Sequence, residues 1–296
     1  MSRKLRVAVV GMGLQGQRLV RALGASKHAV LAGTASERER GSFAALLKDK
    51  TIDVVVIATP NGKHAKQAIT AARAGKHILC EKPLALTARQ GRAVRAAAKK
   101  SGVRCFVNYH LRMHPEAQKA KKLIAQGSLG EVVYIEMLWA IGTAGQKKLP
   151  PLPLHMRWRE SVKAGGGTTS ARGVHLFDFL RFITGKEAVR VSGYSDKTRT
   201  AADQTAVAVI GLEGGAVAAI TTSKVMPGAD NRIAIMGTKG KLVLRDIFTS
   251  DPQALYTDVF DALAKGLSGA KTPLATAEDG IAADTIAQKA LSLKRR

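Results

Sequence analysis

The chain has 296 residues, of which 46% are hydrophobic and 4% aromatic, and a formal net charge of +25. That length suits two domains at roughly 100–200 residues each, and the apolar fraction excludes a disordered chain. Two cysteines exclude a disulfide framework, and no run reaches the ~20 apolar residues of a membrane span.

Met1-Ser2-Arg3-Lys4 leads straight into an apolar strand rather than a signal peptide, so a cytoplasmic protein with no membrane partner is expected. Cys80 and Cys105 each lie inside an apolar run and read as reduced core residues. Residues 1–112 hold 22 Lys/Arg against 5 Asp/Glu, so most of the positive excess lies there. A solvated face, attraction of an anionic cofactor or substrate, and nucleic-acid binding all fit such a balance. No helix-turn-helix, zinc finger or ribonucleoprotein aromatic motif accompanies the charge, so no specific nucleic-acid partner is expected.

The predicted elements alternate through the first part. Strands at LRVAVVG (5–11), AVLAGTAS (29–36), DVVVIATP (53–60), HILCEKP (77–83) and VRCFVNY (103–109) are separated by amphipathic stretches that read as helices. Near-continuous apolar strands alternating with helices imply a parallel sheet covered on both faces. Beyond residue 113 come a helix (115–127), a long strand (131–142), the Pro-rich 149–153, Gly165–Gly167 and a helix over 174–183. Strands at 188–195, 204–213, 216–224, 231–237 and 241–246 follow without helices between them, linked by hairpin turns at 211–216 and 237–241. That succession predicts a mixed or antiparallel sheet open on one face. Two helices, about 256–266 and 278–293, close the chain. The expected organisation is α/β: a doubly wound Rossmann domain over 1–112, then an α+β domain over 113–296 for substrate binding and oligomerisation.

Gly11-Met12-Gly13-Leu14-Gln15-Gly16 follows the first strand and opens a helix. Its glycines permit the tight turn, let backbone approach a pyrophosphate and pack helix on strand, so dinucleotide binding is predicted. The end of the second strand sets the choice of dinucleotide. If the strand ends at Ser36, a small hydroxyl replaces the usual carboxylate, and Arg38 or Arg40 is placed to meet a 2′-phosphate. NADP is therefore preferred; NAD remains the alternative, with Glu37 as the ribose acceptor.

ATPNGKH (58–64), EKP (81–83), NYHLRMHP (108–115), LIAQGSLGEV and GGGTTSARGVHLFDF occur in order along nearly the whole chain. Together with the glycine turn they resemble the Gfo/Idh/MocA family, which oxidises or reduces sugars, cyclitols and related carbonyl compounds with NAD(P). The resemblance implies catalytic roles for Lys82 and His175, and a dinucleotide loop at Thr59, Pro60, Asn61 and His64, with Glu81 and Lys82 beside it. His64 is equally readable as structural packing. Asn108, Tyr109 and Arg112, after the last parallel strand, are expected near the substrate with Lys82 and His175. Asp178 is placed to orient His175, and Trp139 and Trp158 to line a sugar pocket or fill core. No metal site is expected. The open sheet implies a homodimer or higher oligomer, as in the family.

Two departures stand out. The family often carries an aspartate four residues before the histidine, where this chain has Ala171, next to Arg172. Only about a dozen residues, 37–50, separate the second and third strands, enough for one helix but not for helix plus strand, so a shortened sheet edge is expected. Both departures leave a second reading open, a dinucleotide-binding sensor or scaffold without turnover.

Overall fold

The structure is a computed structural model and describes residues 3–36, 42–142, 152–198, 200–248 and 252–292. Strands β1 (Leu5–Val10), β2 (Ala29–Ala35), β3 (Val54–Ile57), β4 (His77–Cys80) and β5 (Cys105–Val107) pair in parallel in the order β5-β4-β3-β1-β2. Helices α1 (Leu14–Ala25), α2 (Ser42–Lys48), α3 (His64–Arg73) and α4 (Ala88–Lys100) alternate with them. Val7, Ala8, Val9 and all four residues of β3 are fully buried, which is why these runs are apolar at every position rather than at alternate ones. α4 begins at Thr87, whose hydroxyl accepts the Gln90 N–H, and buries the stripe Gly91, Val94 and Ala98. β2 is the sheet edge and, among the described residues, α2 is the one helix between it and β3, in keeping with the shortened edge that the residue count implied.

The second unit contains α5 (Pro115–Ala125), β6 (Val132–Ala140), α6 (Val174–Thr184), β7 (Ala188–Ser195), β8 (Thr205–Leu212), β9 (Val217–Ser223), β10 (Arg232–Gly237) and β11 (Gly240–Leu244). The sheet order is β11-β10-β6-β9-β8-β7; β6 and β9 run parallel and every other pair antiparallel, so the sheet is mixed. Ile135, Met137, Ile210, Ile220, Ile233 and Ile235 are buried on one face. Phe177 of α6 lines a small cavity with Ala206, Ala208 and Ile220 of that face. The opposite face carries Val207, Val209, Val217, Met236 and Val243, all exposed.

After residue 250 the chain rejoins the first unit through α7 (Gln253–Leu267), β12 (Ala275–Thr276) and the start of α8 (Ala277–Ala290). This corrects the expected division, which gave all of 113–296 to the second domain: Asp251–Ala282 clusters with Met1–Met113. Packing is the reason. Val259, Phe260 and Leu263 of α7 complete the core around Val7, Leu19 and Leu79, and each fully buried side chain of this size contributes about 1.5–3 kcal/mol. β12 pairs antiparallel with β5 and covers the sheet edge that β5 would otherwise expose. Arg104 donates to the Gly266 carbonyl, and Ser26 Oγ donates to Asp261 at 2.6 Å.

Candidate active site

The glycine turn explains itself atom by atom. Gly11 has φ +97°, and a Cβ there would meet the Ala58 carbonyl carbon and the Thr59 nitrogen at 2.7 Å. A Cβ at Gly16 would collide with the Gly11 carbonyl oxygen. Gly13 differs: nothing lies within 4 Å of its Cβ position, and it starts α1 with no side chain capping the helix. Met12, Leu14 and Gln15 complete the turn. Uncapped amides over open space suit a pyrophosphate, whose charge a helix N-terminus favours. Gly11 N–H donates to Ala35 O at 2.8 Å, which holds the end of β2, and so Ser36, next to the turn. Arg38 lies outside the described residues.

The carboxyl ends of β1, β4 and β5 are tied by Glu81. Its Oε1 accepts from Gln15 Nε2 at 2.9 Å and from Asn108 Nδ2 at 2.6 Å, and its Oε2 from the Lys82 N–H at 3.3 Å. Glu81 and Asn108 are buried, and the Asn108 Oδ1 is buried with no protein partner among the described residues. An unused buried acceptor at a strand end calls for an explanation in hydrogen bonding beyond the fold itself. Lys82 is half-buried, and its charge is felt by both His64 and His110. Strand carboxyl ends are where ligands bind in open α/β sheets.

Several expected ligand contacts have other work. His64 is fully buried; its Nδ1 lies 2.7 Å from Pro83 O and its Nε2 2.8 Å from Thr59 O. A neutral ring donates to only one of the two carbonyls, and burial, the dominant influence, lowers its pKa. His64 therefore braces the loops after β3 and β4, the packing role that its sequence context left open. Thr59 Oγ1 donates to Gln67 at 2.5 Å, while Pro60 and Asn61 continue the same loop. Arg112 is buried and reaches Asp279 Oδ1 at 3.1 Å, which ties the 3-10 turn His110–Met113 to the returning chain. Tyr109 is buried beside it.

His110 packs edge-on against Tyr256 at 4.8 Å, and burial, then the charges of Lys82 and Arg18, push its pKa down to about 3. The folded protein thus keeps His110 neutral where an unfolded chain would protonate it near the usual ~6.5. Between those values the unfolded state binds the extra proton, so stability falls as pH falls, by up to about 1.4 kcal/mol per pH unit. His110→Gln is expected to lose less stability than the parent between about pH 7 and about pH 5 in urea melts. An equal loss in both would show that His110 does not set the acid limit. Cys105, buried, has its thiol pushed up to about 12 and is chemically quiet.

In the second unit His175 sits near the start of α6, buried, with its ring 5.7 Å from that of Trp139. Trp139 stacks on Phe248 at 4.6 Å. A π-helical turn, Thr169–Gly173, precedes α6 and is anchored by Asp203, whose Oδ2 accepts from Thr169 N–H at 2.8 Å and Oγ1 at 2.7 Å. Gly167, at φ +110°, has no room for a Cβ against Asp203, and a Cβ at Gly166 would collide with the Arg159 carbonyl. Gly165, at φ +78°, also takes a backbone conformation that favours glycine, so all three positions of the run are explained. Asp203 was invisible to motif reading, and so was Gln67; both act through contacts that no local spacing reveals. Among the described residues no group of His, Cys, Asp or Glu could hold a metal, and no helix is long and apolar enough to cross a membrane.

A Rossmann unit with an open glycine turn and a lysine at the sheet's carboxyl end, followed by a unit built on a mixed sheet, has the parts of a nicotinamide-dependent oxidoreductase. Residues 5–109 match the oxidoreductase family's NAD-binding Rossmann fold, and 117–243 match the GFO/IDH/MocA C-terminal domain. The chain belongs to the GFO/IDH/MocA family. It is 30% identical over 260 residues to the 1,5-anhydro-D-fructose reductase of Ensifer adhaerens, covering 80% of this chain and 75% of that one. It is 30% identical over 207 residues to the scyllo-inositol 2-dehydrogenase (NAD(+)) of Bacillus subtilis (strain 168), covering 67% of this chain and 57% of that one. The aldose-aldose oxidoreductase of Caulobacter crescentus superposes with a TM-score of 0.82 at 22% identity, over 97% of this chain and 98% of that one.

Proposed function

We propose that the protein transfers hydride between a nicotinamide dinucleotide, NADP in preference to NAD, and a hydroxyl-bearing or carbonyl carbon of a sugar, cyclitol or related polar molecule. The observation that carries the reading is the Glu81 knot, which gathers Gln15, Asn108 and Lys82 at the carboxyl ends of three parallel strands. Gly11, Gly13 and Gly16 with the start of α1 would hold the pyrophosphate, and Ser36 with Arg38 the adenosine ribose phosphate. When bound, the nicotinamide supplies the hydride acceptor or donor. The chain's own residues manage the proton: Lys82 and His175 are proposed to pass it to or from the substrate oxygen, and a cation such as Lys82 also stabilises negative charge developing there.

Fluorescence titration with NADPH and NADH tests the cofactor half, with tighter NADPH binding expected. A sugar and cyclitol screen followed by nicotinamide absorbance tests turnover. Cofactor binding with no substrate-dependent change across the panel would make the protein a dinucleotide-binding module instead. Failure to bind either dinucleotide would sink the whole reading.

The exposed Val207, Val209, Val217, Met236 and Val243 of the second sheet support a homodimer or higher oligomer joined through that face. Val209→Glu is expected to lower the mass found by light scattering. A parent that is already monomeric would refute the assembly.

A further inference from the structure

The second unit carries three cations that the proposed proton chemistry does not use, one of them against the ring that neighbours His175. Arg172 lies on the π-helical turn, with its guanidinium 5.9 Å from the centre of the Trp139 ring, the same ring that neighbours His175. Lys224 follows β9 directly, at the end where Thr222 and Ser223 pair with Trp139 and Ala140. Arg159 ends a 3-10 segment, Leu154–Glu160, and its carbonyl accepts the Gly167 N–H at 3.0 Å. Three separate elements therefore bring positive charge to one region.

Arg172 and Lys224 are the half-buried pair, each within reach of the other's charge. Burial, then the charge of Arg159, lowers the pKa of Arg172 to about 10. Lys224 is lowered mainly by burial; Asp203 and Glu160 oppose that, and Arg172 and Arg159 add to it. The Asp203 Oδ2 is already engaged by Thr169. Among the described residues, no carboxylate lies within ion-pair distance of Arg172 or Lys224. Position 171, where the family often has an aspartate, holds a methyl group. Half-buried like charges repel each other and are costly to desolvate, and a bound anion relieves both effects.

We propose that Arg172 and Lys224, supported by Arg159, bind the carboxylate or phosphate group of an anionic sugar substrate beside His175. That the ligand is a substrate rests on the oxidoreductase reading above; that it is an anion rests on the cluster alone. The missing aspartate then has a reason, since a carboxylate at 171 would repel the ligand's charge.

The test uses the full chain saturated with its preferred dinucleotide. D-glucuronate and D-gluconate probe a carboxylate, D-glucose 6-phosphate a phosphate, and D-glucose the neutral case, with binding read by calorimetry and turnover by nicotinamide absorbance. One anion class is expected to exceed D-glucose in affinity and kcat/KM by about tenfold or more, with the preference shrinking as salt rises. Arg172→Gln and Lys224→Gln should each cut the anion-to-neutral ratio about tenfold, and Ala171→Asp should lower it too. Arg92→Gln, on the exposed side of α4, controls for lost net charge. If one variant fails to fold, the other and the salt series of the parent still decide. Efficient use of D-glucose without anion preference overturns the anion site and leaves the oxidoreductase reading intact. Anion binding that depends on Arg172, without turnover of any probe, upholds the anion site and places the reacting substrate outside these four probes. No binding of any anion overturns the proposal.

Discussion

Lys82→Met is expected to lower kcat by about 10²–10⁴ while dinucleotide binding survives, the range general acid–base catalysis supplies. Methionine keeps the length of the stem and loses the charge. The backbone at this position is held independently of the side chain: the Lys82 N–H bonds to Glu81 Oε2, and Glu81 is fixed by Gln15 and Asn108. Removal of the ammonium should therefore leave the knot standing, and rapid kinetics should show a loss in the chemical step rather than in cofactor affinity. The charge of Lys82 also contributes to lowering His110 and His64. The variant should accordingly raise the histidine titration midpoints seen by NMR, a signature that general unfolding would not give. Undiminished kcat in Lys82→Met would remove the lysine from the mechanism.

How much of this was legible beforehand depended on whether the physics was local. Val7 to Val10 are apolar at every position because the strand is covered on both faces, so the parallel sheet could be read from consecutive residues. The edge at β2 was legible from arithmetic on the chain between Ala35 and Val54. The return of residues 251–282 was not. β12 is two residues long, too short to show alternation, and α7 looks like any amphipathic helix until Phe260 meets Val7 and Leu19. The partner of an amphipathic face is a tertiary fact.

The same distinction separates the site residues. Gly11 and Gly16 were readable because their constraint comes from a turn they make themselves. The carboxylate that Arg112 reaches, Asp279, lies far along the chain and was not foreseeable from spacing. His64 was ambiguous for a similar reason: its two carbonyl neighbours belong to different loops. Arg172 was visible only as an extra charge beside a missing aspartate. Its meaning needed Lys224 and Arg159, which come from separate elements and share no motif.

Gly13→Val is expected to abolish tight dinucleotide binding with little loss of stability, and the contrast with Gly16→Ala makes the result specific. Gly13 has φ −73° and ψ −171°, a backbone conformation that valine accepts, and its Cβ position is empty to 4 Å. Beyond the modest preference for glycine over valine at a helix N-cap, the fold gives little reason for glycine there, and the proposed pyrophosphate supplies one. A branched side chain would fill the volume above the first amides of α1 and displace the phosphates from their donors. Each charge-assisted hydrogen bond lost is worth about 1.5–3 kcal/mol, so affinity should fall by about tenfold to a hundredfold or more. Gly16→Ala drives its methyl into the Gly11 carbonyl and should instead cost about 1–3 kcal/mol of stability along with binding, because α1 must shift from β1. Thermal melts and NADPH titrations on both variants separate the two cases. Wild-type affinity in Gly13→Val would mean that the pyrophosphate does not lie over this turn.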